Sequence, residues 1–257
     1  MIQSPLKYKG DDPRIVSLMN GIIPKDVKKI CSPFLAGGSL ELSLAHEGKK
    51  VFAYTSDEEL LEFWQCLSEE PDRVVGLASA MRTDFYDVLF KDPMLYNAMR
   101  DSRRSPEDKY LRAALFFALN LTNSSRSVAT GTRAADYKNK FSEVAMLKLR
   151  RASDNSVIFL KSREFCDIAK IHSNHLLYCR VPHIVPYPSF EDPEYEEQPG
   201  WNELKAALQD RDNWILFCNN HSRVRSEFAK DEFHFVDKNY KLTDDEKSKE
   251  IIIVRRT

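Results

Sequence analysis

"VKKICSPFLAGGSLELSLAH", residues 27–46, is the stretch whose reading decides the fold. Val27–Cys31 is an apolar run of strand length, Gly37 and Gly38 follow it closely, and the residues after them read as a helix. A strand that turns through glycines into a helix lets a ligand reach the backbone at the helix N-terminus. Unpaired amide groups there favour negative charge. Two glycines alone are a weak signal, and the flanking sequence gives them weight.

Working outward, short apolar runs recur at 49–54 ("KKVFAY"), 156–160 ("SVIFL"), 175–179 ("HLLYC"), 213–218 ("NWILFC"), 233–237 ("FHFVD") and 250–255 ("EIIIVR"). Amphipathic stretches separate several of them. "DEELLEFWQCLSEE" (57–70) places apolar residues at 60, 61, 63, 64 and 67 after an acidic first turn that suits the helix dipole, and 163–171 repeats the pattern with Phe165, Ile168 and Ile171. This alternation predicts an α/β fold with a mostly parallel, doubly wound sheet and helices on both faces. Between about 73 and 155 it stops. Helical segments such as "KYLRAALFFALNL" and polar loops occur there without a convincing strand, so residues 1–72 and 156–257 are expected to form the core and 73–155 an insertion.

The insertion carries the only concentrated charge of one sign that bears on a partner. Arg126, Arg133, Lys138, Lys140, Lys148, Arg150 and Arg151 crowd together in a chain whose 38 basic and 39 acidic side chains otherwise cancel to a net charge of −1. Such a cluster reads either as a phosphate-contacting patch or as a solvated helix face. "FEDPEYEEQPGW" (190–201) is acidic and reads as a loop that repels DNA wherever it lies near a duplex.

Composition excludes several classes. The chain of 257 residues, 42% hydrophobic, has enough apolar material for a sizeable core. No apolar run approaches a membrane span and the N-terminus lacks a signal-peptide h-region, which leads to the expectation of a cytoplasmic protein. The five cysteines, Cys31, Cys66, Cys166, Cys179 and Cys218, are scattered and never spaced C-x-x-C, and the six histidines show no H-x-x-x-H or H-E-x-x-H spacing. Neither a disulfide framework nor a metal site is expected, and no nucleophile elbow or P-loop occurs.

The order of motifs resembles the Dam-like, D12-class DNA adenine-N6 methyltransferases. That family runs K-W/Y-x-G-G-K, then P-F-x-G-x-G-S at the end of the first strand, an acid at the end of the second, a recognition insertion, and D-P-P-Y after the fourth. This chain gives "KYKGDD" (7–12), "PFLAGGS" (33–39), "VFAYTSDEELLEFW" (51–64), the insertion, then "LLYCRVPHI" (176–184) and "ILFCNNHS" (215–222). The resemblance covers nearly the whole chain and implies a Rossmann-like methyltransferase fold with a helical target-recognition insertion. It also implies that Lys7, Tyr8, Gly10, Phe34, Gly37, Gly38 and Asp57 surround S-adenosylmethionine, and that DNA is the partner.

The departures lie where the family does its chemistry. Asp11 and Asp12 replace a glycine and a lysine, Ala36 stands in the glycine loop, and Tyr54 falls where the ribose-holding acid belongs. Asp57 either substitutes for that acid or caps the following helix, and the cap is the favoured reading. Arg180, Val181, Pro182 and His183 occupy the four positions of D-P-P-Y. An exocyclic adenine amine is a poor nucleophile that the family assists with a carboxylate and a carbonyl acceptor, while its tyrosine stacks on the flipped base. Arginine is a permanent cation with no acceptor, so it inverts that chemistry. Tyr187 is an alternative stacking ring if the loop shifts register. The expectation is a degenerate relative, a pseudoenzyme with S-adenosylmethionine binding weak or lost, that acts by binding nucleic acid or a protein partner. Family members commonly travel with phages and restriction systems. The alternative is an active divergent methyltransferase, or another nucleobase-modifying enzyme built on Arg180 and His183.

Overall fold

The structure, a computed structural model, describes residues 2–8, 11–83, 91–125, 128, 132–136, 140–153, 155–181 and 200–256. In chain order the strands are β1 (Lys29–Ser32), β2 (Lys50–Thr55), β3 (Ile158–Lys161), β4 (Leu176–Val181), β5 (Trp214–Asn219), β6 (Glu232–Val236), β7 (Leu242–Thr243) and β8 (Glu250–Arg255). The helices are α1 (Arg14–Ile22), α2 (Ser39–His46), α3 (Glu58–Glu69), α4 (Pro71–Thr83), α5 (Pro93–Asp101), α6 (Lys109–Thr122), α7 (Glu143–Ser153), α8 (Phe165–Ile171), α9 (Trp201–Gln209) and α10 (Ser222–Glu227). Two compact units emerge: Met1–Pro13, Ala36–Glu47 and Thr55–Lys161 form the first, and Arg14–Leu35, Gly48–Tyr54 and Ser162–Thr257 the second.

The second unit is built on a sheet whose strands run in the order β2-β1-β4-β5-β8-β6-β7. The pairs β1–β2, β1–β4 and β4–β5 are parallel, whereas β8 pairs antiparallel with β5 and β6, and β7 antiparallel with β6. Every residue of β5 is buried, the pattern of a strand covered on both faces. The thiols of Cys31, Cys179 and Cys218 are buried in these strands as free cysteines, and burial pushes the Cys31 thiol up to about 12. They are packing residues. All seven strands expected from sequence are present, with ends shifted by at most two residues, and the fold is α/β and Rossmann-like. The antiparallel insertion of β8 between β5 and β6 was not legible, because "EIIIVR" reads equally well in either direction.

The first unit is mainly helical. α3 buries Leu60, Phe63, Trp64, Cys66 and Leu67, four of the five apolar positions read from its periodicity among them. Phe63 packs on Phe117 of α6 with ring centroids 6.3 Å apart, and Trp64 stacks on Phe159 of β3 at 4.9 Å. α6 is buried along most of its length, from Ala113 to Thr122, which explains a helix that is apolar all round. Ion pairs from Arg103, which precedes α6, to Glu59 (2.7 Å) and from Arg112 of α6 to Glu62 (2.6 Å) tie this region to the α3 surface. Among the described residues, no helix is long and apolar enough to cross a membrane.

Candidate functional site: the glycine loop, the strand-end arginine and the basic helix

Gly38 precedes α2 with φ 92°, a left-handed conformation that only glycine adopts without strain. Gly37 is needed for a different reason. A Cβ there would stand 2.6 Å from Oδ2 of Asp11 and 2.8 Å from its Cβ and Cγ, so the side chain of Asp11 lies against the bare backbone of the loop. The Asp11 carboxylate accepts from the Ser39 amide at 3.2 Å and from the Ser39 hydroxyl at 2.7 Å. Ser39 is the first residue of α2, so the carboxylate sits on that helix's N-terminus. Ser4 completes the lining. Its hydroxyl donates to the Gly37 carbonyl at 2.5 Å, and its amide donates to the Ser39 hydroxyl at 3.3 Å.

Tyr8 and Asp57 meet in the same unit. Oδ1 of Asp57 accepts from the amides of Glu59 (3.0 Å) and Leu60 (3.1 Å), which makes it the N-cap of α3, the favoured sequence reading. Its other oxygen accepts from the Tyr8 hydroxyl at 2.5 Å. Burial and then this bond hold the Tyr8 phenol well above its usual range, so it stays protonated and keeps donating. The Lys7 backbone is clamped by buried Asn120 of α6: the Lys7 amide donates to Oδ1 at 2.7 Å, and Nδ2 donates to the Lys7 carbonyl at 3.1 Å. Gly10 lies outside the described residues.

At the end of β4 in the second unit, Arg180 pairs in register with Phe217 of β5. Residues paired this way point to one face of a sheet. The Arg180 guanidinium accordingly lies 5.2 Å from the centre of the Phe217 ring, with the Tyr240 ring 5.9 Å away and its hydroxyl at 3.5 Å. A second cation, Arg14, stands 4.9 Å from the Tyr240 ring. Tyr240 adopts φ 58°, an uncommon conformation for a bulky residue, within a turn held by Asp237, whose carboxylate accepts from the amides of Asn239 and Lys241. Neither Phe217 nor Tyr240 was assigned a role from sequence; the i-to-i register of β4 and β5 was the missing signal. Val181 is half-buried beside Arg180, while Pro182, His183, Tyr187 and residues 190–199 of the acidic stretch lie outside the described residues. Phe34 stacks on Phe165, 5.7 Å between centroids. Asn220 donates to the carbonyls of Glu246 and Ser248, satisfying loop backbone.

Tyr54 is a buried packing residue whose hydroxyl bonds Nε2 of His172 at 2.8 Å, and His172 Nδ1 meets His175 Nδ1 at 2.7 Å. Two Nδ1 atoms in contact need one proton between them, so at most one ring of the pair donates there. Burial first, then the neighbouring His175 and Arg211, depress His172 to about 4. A histidine depressed below its unfolded value of about 6.5 stabilises the fold while neutral. Between those two values the unfolded chain binds more protons, so stability falls as pH falls through the window. From pH 7 to pH 5 the wild type should lose on the order of 1–2 kcal/mol more than a His172→Gln variant, measured by urea denaturation. Equal losses would show that folded His172 takes up its proton at the same pH as the unfolded chain and is not depressed.

Arg211 closes the end of α8 and its following turn, donating to the carbonyls of Ala169 (3.0 Å), His172 (3.2 Å), Ser173 (3.3 Å) and His175 (2.7 Å). These are carbonyls that a helix end leaves without partners. Arg211→Ala should cost about 3 kcal/mol in urea denaturation, and Arg211→Lys should recover less than half, because a single ammonium cannot span four acceptors. Full recovery by lysine would reduce the role to charge alone.

The basic insertion is described in part, since Arg126 and Lys138 lie outside the described residues. α7 buries Ala145, Met146, Leu149 and Ala152, and leaves Arg150 and Arg151 exposed and Lys148 half-buried beside exposed Val144 and Leu147. Lys140 pairs with Asp136 at 2.7 Å, and Arg133 lies on an isolated bridge with Asn123. Sequence reading kept Lys7 apart from this cluster. Yet its ammonium is held below its usual range by loss of water and then by the charges of Lys140 and Lys148, with Asp136 opposing them. Lys7 therefore shares one electrostatic neighbourhood with Lys140 and Lys148, which are far from it in sequence. Among the described residues, no group of three or more histidine, cysteine or acidic side chains is placed to hold a metal ion.

Residues 8–182 match the family described as D12 class N6 adenine-specific DNA methyltransferase, a span that ends within the Arg180–His183 stretch. Among curated proteins the chain is similar to the type II methyltransferase M.MjaIII of Methanocaldococcus jannaschii, at 28% identity over 128 residues. That match takes in 46% of this chain and 44% of the relative, so the chain spans less than half the length of the protein it matches. Among solved structures it is similar to the rRNA methyltransferase aviRa from Streptomyces viridochromogenes, at 12% identity and a TM-score of 0.40, covering 99% of this chain and 90% of that one.

Proposed function

Taking as premise that the chain belongs to the D12 class N6 adenine-specific DNA methyltransferase family, we propose that it has lost methyl transfer to adenine and acts by binding nucleic acid through its basic insertion. The family generally uses S-adenosylmethionine and acts on DNA, so the reading concerns what this member has kept. The observation that carries it is Arg180. The residue at the position of the family's amine-polarising carboxylate is a cation, and its guanidinium is engaged by Phe217 and Tyr240. Rotating it out of the way would forfeit those stacking contacts, each worth roughly 0.5–2 kcal/mol. Arginine itself offers no acceptor in place of the lost carboxylate.

Binding is supported by Lys7, Lys140 and Lys148: Lys7 is held below its usual range first by loss of water and then by the charges of Lys140 and Lys148, and an anion entering among them relieves that repulsion. A phosphate backbone offers such anions at regular spacing. Methyl transfer from labelled S-adenosylmethionine to adenine-containing DNA tests the first half, and the salt dependence of DNA binding tests the second. The family match itself favours the other reading, an active divergent methyltransferase or nucleobase-modifying enzyme working through Arg180 and His183. Wild-type turnover above that of an Arg180→Ala variant would establish it. A cytoplasmic site of action and an association with phage or restriction systems belong to the same proposal, as does a protein partner in place of DNA.

A further inference from the structure

We infer that Asp11 is a tethered carboxylate that occupies the glycine loop in place of an external anionic ligand, so that the loop is closed by its own chain. The inference rests on reading residues 33–39 as the family's cofactor loop, and it adds the agent of closure. The Ser39 amide and hydroxyl and the Gly37 carbonyl have internal partners. Ser39 amide and hydroxyl both donate to Asp11, the Gly37 carbonyl accepts from Ser4, and the Ser39 hydroxyl accepts from the Ser4 amide. Helix N-termini attract carboxylates, and this one already has its carboxylate at 2.7–3.2 Å. The contact also fills space. Gly37 has no side chain, and the volume that this leaves is taken by Asp11 Cβ, Cγ and Oδ2, all within 2.6–2.8 Å of where a Cβ would be.

Asp11 is also held through its backbone amide. Its own amide donates to the Tyr8 carbonyl at 3.1 Å, and Tyr8 is fixed by its hydroxyl on Asp57. The segment therefore presents the carboxylate to the loop at little further entropic cost, and an external carboxylate must displace it first. When a binding-competent state is only a fraction of the population, apparent affinity falls by that fraction. A closed form populated ten to one over the open form lowers affinity about tenfold. The ligand class excluded is one that brings a carboxylate or similar anion to the α2 N-terminus while lying along the bare backbone at Gly37, the chemistry of an amino-acid-bearing nucleoside.

The experiment is calorimetric titration of the full chain with S-adenosylmethionine and, separately, S-adenosylhomocysteine. The variants are Asp11→Gly, which removes the occupant, and Asp11→Asn, which keeps its shape and removes its charge. Asp12→Asn is the control for a charge nearby in sequence. Asp11→Gly is expected to bind at least tenfold more tightly than the wild type, Asp11→Asn to show a smaller gain, and Asp12→Asn less than either. Circular dichroism checks that Asp11→Gly is folded; where it is not, Asp11→Asn decides alone, with a gain of threefold or more expected. No gain in a folded Asp11 variant overturns the inference, whether the wild type binds in the low micromolar range or no form binds at all. Methyl transfer by the wild type would end the functional reading above, while the comparison of affinities would still stand or fall on its own.

Discussion

Incubated with labelled S-adenosylmethionine and adenine-containing DNA, the wild-type protein is expected to label DNA no faster than its Arg180→Ala variant. The reason is the sign of one charge. As the amine attacks, positive charge develops on nitrogen, and a carboxylate beside it stabilises that charge while a guanidinium opposes it. Two unit charges about 4 Å apart interact by about 4 kcal/mol at an effective dielectric constant of about 20. Exchanging an attractive charge for a repulsive one therefore swings the barrier by about 8 kcal/mol, on the order of a million-fold in rate. Arg180 is also held where it is, stacked over Phe217 and bonded to Tyr240, so moving it aside forfeits those contacts. Arg180→Asp by itself is expected to remain inactive, because Asp11 still occupies the glycine loop. Wild-type turnover clearly above Arg180→Ala would reverse the assignment and make the arginine part of a working site.

The second large effect concerns DNA. Replacing Lys7, Lys140 and Lys148 together by Ala should reduce the magnitude of the slope of log K against log salt by up to about 2.7, since each phosphate contact contributes about 0.9. Affinity near 100 mM salt should fall by roughly tenfold to a thousandfold, with little dependence on DNA sequence. Arg150→Ala combined with Arg151→Ala serves as the comparison, because both residues lie exposed on α7. A slope unchanged in the lysine variant but reduced in the arginine variant would move the interface along α7. Unchanged binding in both would place the DNA site outside these lysines and arginines and overturn the insertion as the interface.

How much of this was legible in sequence follows from the range of each interaction. Strands and helices with strong local signals were readable. β5 is "WILFCN", buried at every position, and α3 repeats its apolar residues with a helical period after an acidic turn that Asp57 caps. The motif order was also readable, because a turn through Gly37 and Gly38 into α2 depends on residues adjacent in the chain. Lys7 was assigned to a cofactor motif and the lysines of the insertion to a patch, and their joint neighbourhood went unseen. Nothing local couples residue 7 to residues 140 and 148.

What the sequence by itself determined is the chemistry of single positions: a donor-only cation at 180, a carboxylate in place of glycine at 11, and glycine where α2 begins. Those properties belong to the side chains wherever they lie. Only the tertiary structure decided what they meet. Parallel register sets Arg180 beside Phe217, and the turn after β6 brings Tyr240 to the same guanidinium. The fold of the first unit lays Asp11 on Ser39 and against Gly37, a contact across 28 residues of sequence that no periodicity records. The physical reason is that hydrogen bonds and stacking act over a few ångströms, whereas the distance between such residues along the chain is set by everything folded between them.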